Sequence, residues 1–406
     1  MNSESVALVF TVAISAASVL LIWFILTFMP RWTRRDMYFA VTVHPSFRTT
    51  DLARRLERRY RRLVALHTLI ALALLLAGIL LVKPLGLGLL VIFCNIAVFW
   101  QIIAAAVVFA QTRRAILPHA ASPTTRRQAS LQPRRATLAG GWAWLLPLLI
   151  LVASAVCLTA NWRRIPPHLA THYGVTGRPD AWAPRTPANV FLPLYMAAGI
   201  YLCFLLLAWA IVRFSRRNAP AGEPARREGK SLRLTQLIAL AATIYLVLVM
   251  GAVSLMPLLQ GPNDPLPAWF YWMIASELLF AVAVLIVVVR TGRDSWRLQP
   301  DIPSAPAAPT HMPDNAAPQF RPDSVDAQSK SAHPAHECDQ PLGDNTPDAA
   351  WKLGIFYYNP SDPALFVPKR FGIGWDLNWA RPAAWLIMLA LVTLPLLTLL
   401  LLKLAQ

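Results

Sequence analysis

Two histidines in a polar segment are the first candidates for chemistry, because their spacing is one that can bind a metal ion. His168 and His172 are four residues apart and would share one face of a helix. No glutamate lies between them, and Pro166 and Pro167 crowd the start of such a helix. The competing interpretation is two histidines at a membrane interface. We favour it and predict no metal site.

A single acidic residue inside a long apolar run is the second candidate. Glu277 lies seven residues into its run, and a carboxylate inside a membrane is by default a functional candidate. Its possible partners in other apolar runs are His67, Asn95 and Gln101. A proton or cation relay through Glu277 would indicate a transporter. The alternative is a structural glutamate that is protonated or hydrogen-bonded.

Two glycines near the C-terminus could let the backbone approach a phosphate group. Gly372 and Gly374 flank Ile373, but the strand, glycine-rich turn and helix of nucleotide-binding sites do not surround them. The sequence also lacks any nucleophile and base, or metal-ligand pattern, on which a reaction could rest. We therefore predict a protein that is not an enzyme and that needs no cofactor.

The candidate residues lie within or between long apolar runs, and these runs predict an integral membrane protein. Only 14% of the 406 residues are charged, against about 25% in soluble domains. Crossing a bilayer as a helix takes about 20 apolar residues, and these runs are too long for barrel strands. The predicted fold class is all-α. The eight predicted spans are Val6–Met29, Leu63–Val82, Leu85–Ala110, Trp142–Ala160, Ala188–Val212, Leu234–Leu259, Phe270–Val289 and Ala383–Leu402.

The basic residues predict how the chain crosses the membrane. Of the 38 lysines and arginines, 32 lie in segments 30–62, 111–141, 213–233 and 290–382. The positive-inside rule places these four segments in the cytoplasm and both termini outside. Most of the net charge of +18 then faces an anionic inner leaflet, so we expect a lipid partner and no nucleic acid. Residues Asp51–Arg62 form a basic helix that leads into the second span.

Composition divides the chain into six regions. Region 299–350 is rich in Pro and Ala and poor in large apolar residues, which predicts a disordered linker. Region 351–382 is aromatic and basic and does not span the membrane. The predicted regions are a three-helix part (1–141), a two-helix domain with external loop 161–187 (142–213), a two-helix part (214–298), the linker, the module and the last helix (383–406).

The external loop 161–187 is dense in turn residues and carries a recognisable pattern. Asp180 could cap the turn or pair with Arg178 or Arg185, and Tyr173 and Trp182 suit the headgroup level. The residues of the pattern are His172, Tyr173, Gly177, Pro179, Asp180 and Trp182. The pattern resembles a small domain of unknown function found in SdpI-type bacterial immunity proteins. That resemblance covers about residues 142–210 and implies a multi-pass bacterial inner-membrane protein. Such proteins are sometimes linked to resistance against membrane-active peptide toxins.

The segment 351–382 carries a second motif, in a region of predicted strands. Leu353–Tyr358 and Leu365–Val367 are the predicted strands, joined by a turn at Asn359–Pro363. Lys369 and Arg370 are expected to face phosphate headgroups. The motif residues are Tyr358, Asn359, Pro360, Asp362, Lys369, Arg370, Gly372, Gly374, Trp375 and Asn378. With this motif the segment resembles an uncharacterised module that recurs in bacterial membrane proteins, and no reaction is associated with that module.

Together these features predict a non-enzymatic protein of the bacterial inner membrane. The first hypothesis is a role in envelope stress or in immunity to membrane-active peptides, with a peptide toxin or a membrane protein as partner. The alternative is a secondary transporter that uses Glu277.

Cysteine accessibility tests the predicted orientation. In a variant without native cysteines, a cysteine at Ser3 should react with a membrane-impermeant maleimide in intact cells. A cysteine at Ser304 should react only after the cells are opened, because the positive-inside rule places it in the cytoplasm. Labelling of Ser3 from the inside alone would contradict the orientation.

Overall fold

The protein is a bundle of long helices with short β-hairpins at both ends. The computed structural model describes residues 3–33, 36–85, 87–121, 137–174, 176–214, 223–297, 343–344, 346–370, 374–391 and 393. The long helices are α1 (Ser3–Phe28), α2 (Asp51–Leu85), α3 (Leu87–Ile116), α4 (Leu145–Ala160), α5 (Pro187–Phe214), α6 (Glu223–Leu259) and α7 (Ala268–Arg297).

Seven helices in the described residues are long and apolar enough to cross a membrane, which confirms the predicted fold class. The eighth predicted span, 383–402, is described in part as a short apolar helix, Pro382–Leu391. Apart from residue 393, the rest of that span lies outside the described residues.

Helix α2 joins two predicted elements into one. Its 35 residues include the basic segment Asp51–Arg62 and the second span. At ~1.5 Å per residue such a helix is about 50 Å long, which exceeds a hydrocarbon core of ~30 Å. The basic turns therefore project beyond the apolar zone. Helix α3 begins at Leu87, two residues after α2 ends, so the connection is as short as that between the predicted spans Leu63–Val82 and Leu85–Ala110.

Helices α1, α2 and α3 form the first packing unit. Their shared core consists of small and branched apolar side chains such as Val19, Ala71 and Leu90. A polar contact lies within it, where Gln101 Nε2 donates to Thr68 Oγ1 at 2.7 Å. Apolar packing with few polar pairs is expected between helices in a bilayer.

Helices α4, α5 and α6 form the second unit, around buried side chains such as Leu158, Leu194 and Val247. The hydroxyl of Tyr201 donates to the Trp144 carbonyl at 2.9 Å and so connects α5 to the start of α4.

Helix α7 lies at the edge of the bundle. It touches α1 where the rings of Tyr271 and Phe10 meet edge to face at 5.1 Å. It touches α6 where the rings of Phe280 and Tyr245 stack at 4.7 Å. No residue in the apolar membrane-length part of α7 is buried, which matters for the placement of Glu277.

Four two-stranded antiparallel hairpins complete the described structure. The β1–β2 hairpin follows α1, and the β3–β4 hairpin connects α4 to α5. The other two lie near the C-terminus. The strands are β1 (Met37–Tyr38), β2 (Val41–Thr42), β3 (His168–Tyr173), β4 (Pro179–Pro184), β5 (Trp351–Lys352), β6 (Phe356–Tyr357), β7 (Phe366–Pro368) and β8 (Trp375–Leu377).

The hairpins gather at opposite ends of the bundle. The β3–β4 hairpin contacts the loop between α6 and α7, and we call this the hairpin end. The C-terminal hairpins contact β1–β2 and the last turns of α3, and we call this the module end. Helices that cross a membrane in alternate directions would place the β1–β2 hairpin, after the first helix, and the β3–β4 hairpin, after the fourth, at opposite ends.

Candidate functional site

The β3–β4 hairpin is fixed at both its strands and its tip. Leu169 pairs with Ala183 and Ala170 with Trp182, followed by an irregular register near His172. At the tip, the Gly177 carbonyl accepts a hydrogen bond from the Leu266 amide at 2.7 Å. Trp182 Nε1 donates to the Pro262 carbonyl at 2.7 Å. The hairpin is thereby anchored to the α6–α7 loop.

The histidines of the hairpin are not arranged as a helical pair. His168 and His172 lie on strand β3, where four residues span about 13 Å, so the shared helical face was a wrong expectation. His172 Nδ1 instead contacts the Asp180 carboxylate across the hairpin. Asp180 therefore pairs with His172 rather than with an arginine. Arg185 Nη1 donates to the Ile165 carbonyl at 2.6 Å.

A cavity of about 380 Å³ lies beneath this hairpin. Strand β3, the first turns of α5, the last turns of α6 and the loop that follows α6 enclose it. Most of its wall is apolar, and polar side chains occur where the hairpin borders it. The apolar lining residues that matter below are Leu169, Leu192, Pro193, Val253, Met256 and Phe270.

Several polar groups line the same cavity. Tyr173 is half-buried there, and its burial, followed by the nearby Asp264 carboxylate, raises the pKa of its hydroxyl above the usual value. Gln260 Oε1 is buried and has no hydrogen-bond partner among the described residues. His168, His172 and Asn189 complete the polar side. A site with an apolar wall and a few polar groups suits an amphipathic ligand.

Glu277 does not belong to this cavity. Its side chain is exposed on α7, while its neighbour Ser276 bonds the Tyr245 hydroxyl of α6 at 2.7 Å. Two of the residues considered as partners of Glu277 make their hydrogen bonds elsewhere. Gln101 donates to Thr68, and Asn95 donates to the Val91 carbonyl. The third, His67, lies on α2 with its ring 5.7 Å from that of Trp100. The structure therefore brings Glu277 to the outer surface of the bundle.

The C-terminal module is held together by its motif residues. In the turn, Asn359 Oδ1 accepts a hydrogen bond from the Ser361 amide. The Tyr357 hydroxyl donates to Asp362 Oδ2 at 2.9 Å. Asn378 is fully buried and donates to the carbonyls of Asn359 and Asp362. These bonds tie the two C-terminal hairpins into one unit. The motif is thus a structural signature in which polar side chains satisfy a turn-rich backbone.

Arg370 anchors the module to the bundle. It is fully buried and pairs with Asp344 at 3.0 Å and with Asp348. Its Nη1 donates to the Ala40 carbonyl of the β1–β2 turn at 2.7 Å. Trp351 covers its guanidinium, 5.1 Å from the ring centroid. Lys369, in contrast, is exposed.

Arg113 of α3 reaches the same place from the bundle side. It is buried and donates to the carbonyls of Ala40, Asp348 and Trp351. The Thr42 amide adds a bond to Asp348 Oδ2 at 3.0 Å. Two buried arginines therefore share one carbonyl and one acidic loop, so the module and the bundle form a single packed interface.

The β1–β2 turn, to which both Arg113 and Arg370 donate hydrogen bonds, has a strained backbone. Phe39 and Ala40 have φ of 47° and 58°, a left-handed conformation that costs about 1–2 kcal/mol for each non-glycine residue. Both side chains are fully buried, with the Phe39 ring edge-on to Tyr60 at 4.9 Å. Packing and the arginine bonds hold the turn in this conformation.

The module differs from its prediction in three respects. The two predicted strands do not pair with each other, because β5 pairs with β6 and β7 with β8. Arg370 is buried in ion pairs and does not face headgroups. Gly343, Asp344 and residues 346–350 also belong to the folded unit, although they were predicted to be part of the disordered linker 299–350.

The remaining motif residues are placed as follows. Tyr358 and Pro360 are exposed, and Trp375 is half-buried on β8. Gly374 has φ of 120°, which glycine adopts readily. Gly372 lies outside the described residues, as does most of the linker. Burial raises the pKa of Asp376 above its usual value, with the Leu377 amide and Lys369 acting in the opposite direction.

Comparison with known proteins finds two families of unknown function. A domain of unknown function (DUF1648), the one associated with SdpI, matches residues 148–197, from α4 through the β3–β4 hairpin into α5. A family of unknown function (DUF5808) matches residues 360–385, which include part of the module. No curated protein and no solved structure matches the chain. The first match supports the resemblance of the hairpin segment; neither assigns a role.

Replacing Arg370 tests the module interface. Arg370→Met leaves Asp344 and Asp348 without their buried partner, which typically costs about 3–5 kcal/mol. We expect the module to detach, so that limited proteolysis within 346–370 becomes at least 100-fold faster. The neighbouring exposed Lys369→Met should leave the rate within about twofold. Equal rates for both variants would contradict the interface.

Gly177→Ala tests the anchoring of the hairpin. Gly177 has φ of 73°, and an added Cβ would lie 2.6 Å from the Tyr271 hydroxyl oxygen. The hairpin tip should shift, so the Leu266 amide should exchange hydrogen at least tenfold faster by mass spectrometry. Gly88→Ala is the matched control, because nothing lies within 4 Å of its Cβ position. Unchanged exchange at Leu266 would show that the tip is not the anchor.

Proposed function

We propose that the protein is a non-enzymatic protein of the bacterial inner membrane that binds amphipathic, membrane-active peptides in the cavity beneath the β3–β4 hairpin. Binding would withdraw such peptides from the bilayer and so protect the envelope. The single observation that carries the proposal is the position of the cavity, between a polar hairpin and the ends of two membrane-length helices.

The cavity has the size and surface for such a ligand. Its 380 Å³ lies within the ~300–1,000 Å³ of ligand pockets. Burying one large apolar side chain contributes about 1.5–3 kcal/mol, so two or three anchors in the apolar wall would give useful affinity. The polar groups of Tyr173, His172 and Gln260 are available for the backbone or charged side chains of the peptide.

The orientation of the chain supports the same role. If segments 30–62 and 111–141 face the cytoplasm, the hairpin end faces outward, where external peptides arrive. The DUF1648 match covers most of α4, the hairpin and the first turns of α5, and that domain is the one associated with SdpI. These points support immunity or envelope stress over transport, since Glu277 lies away from the cavity on an open helix face.

A cavity-filling variant tests the proposal. Deletion of the gene should sensitise cells to at least one peptide in a panel of membrane-active peptides, and the wild-type gene should restore growth. Val253→Trp places a large ring in the cavity and should fail to restore it. Leu248→Trp is the matched control, because it adds the same ring to an exposed position on the same helix. Equal amounts in the membrane should be verified by immunoblot.

Two results would contradict the proposal. One is a deletion strain with normal sensitivity to the whole panel. The other is full protection by Val253→Trp, since a filled cavity cannot accept a ligand. The variant Glu277→Gln distinguishes peptide binding from the alternative, a transporter that uses Glu277. If the cavity binds the peptide, this variant should protect fully. Loss of protection would instead indicate a relay through Glu277.

A further inference from the structure

Four arginines on the first turns of α2 form one exposed stripe. Arg55, Arg58, Arg59 and Arg62 are spaced at i, i+3, i+4 and i+7, which places them on one helix face. All four side chains are exposed. Together with Leu63 they line a shallow groove of about 480 Å³. We call these four residues the arginine stripe.

The neighbouring acidic residue does not neutralise the stripe. Glu57 points to the other side of α2, where it pairs with Arg61 and with Arg31 at 3.4 Å. It also accepts a hydrogen bond from the Tyr38 hydroxyl at 3.2 Å. Within the described residues no ion pair involves the stripe, so its four charges are available to an anionic ligand.

The same helix face continues as a row of exposed leucines. Leu66, Leu69, Leu76 and Leu80 are between 51% and 68% exposed. At 100° per residue, these leucines and the arginine stripe fall within a sector of about 100°. From Arg62 to Leu80 the helix rises about 27 Å, close to a hydrocarbon core of ~30 Å.

We propose that this face of α2 is a binding site for an anionic phospholipid with two phosphodiesters, of the diphosphatidylglycerol class. The pairs Arg55/Arg59 and Arg58/Arg62 each consist of side chains one helical turn apart, and each pair can bind one phosphate. The leucines lie where the acyl chains of such a lipid run. A lipid with two phosphates fits both pairs, whereas a lipid with one leaves a pair free.

This inference does not depend on the proposed function. The arginine stripe lies on α2 at the module end, whereas the peptide cavity lies between α5, α6 and the β3–β4 hairpin at the other end. Each could fail without the other.

Native mass spectrometry of the delipidated full-length protein in detergent tests the site. Diphosphatidylglycerol should bind at least tenfold tighter than phosphatidylglycerol, and phosphatidylethanolamine should bind more weakly still. Arg55→Gln/Arg59→Gln and Arg58→Gln/Arg62→Gln should each lose about 30-fold in affinity, at roughly 1 kcal/mol per arginine. Unfolding temperatures without lipid should match the wild type, because all four side chains are exposed.

The control removes the same charge from the same end of the bundle. Arg54 and Arg114 are exposed and lie off the stripe, so Arg54→Gln/Arg114→Gln should keep affinity within about threefold. An equal loss in this control would overturn the proposal in favour of diffuse surface charge. Equal binding of phosphatidylglycerol, or competition by inorganic pyrophosphate at the affinity of the lipid, would overturn it as well.

Discussion

The backbone of a chain inside hydrocarbon has no water to bond with, so each of its polar groups must be satisfied within a helix or a closed sheet. The rest of this structure depends on that constraint. It explains why the long segments are helices and why the hairpins and turns gather at the two ends. It also explains the length of α2, whose basic turns extend past the apolar zone instead of entering it.

The two ends are built in different ways. At the module end, buried arginines close the interface: Arg113 and Arg370 meet at the Ala40 carbonyl, and Asp344 and Asp348 balance their charge. At the hairpin end, the β3–β4 hairpin is held by a few bonds to the α6–α7 loop and leaves a cavity beneath it. A closed interface suits a structural anchor, and an open cavity suits binding.

The helices could be predicted from the sequence because each span is a local signal. Apolar length predicted α1 to α7, and the basic segment was correctly joined to α2. Turn chemistry also predicted the bend at Asn359–Pro363, since Asn and Asp bond nearby backbone groups.

Contacts between distant segments could not be predicted in this way. Strand β3 is a strand because it pairs with β4, and nothing in residues 168–173 alone excludes a helix. Arg113 and Arg370 look like any other basic residue beside a membrane. Arg113 bonds Ala40, more than 70 residues away, and Arg370 pairs with Asp344, more than 20 residues away. The cavity likewise combines residues of α5, α6 and β3. Asp344 and Asp348 gave no distinct signal in the sequence, because they are two of eight acidic residues in segment 299–350.

The proposed function requires that the cavity beneath the hairpin receives the peptide. Photo-crosslinking tests it most directly, with a photoreactive amino acid at Leu192 in the cavity or at the exposed Leu206 on the same helix α5. With a membrane-active peptide to which the deletion strain is sensitive, we predict a crosslinked product from Leu192 and little from Leu206. Equal crosslinking at both positions, or crosslinking at Leu206 alone, would mean that the peptide meets the protein through the lipid and would contradict the account.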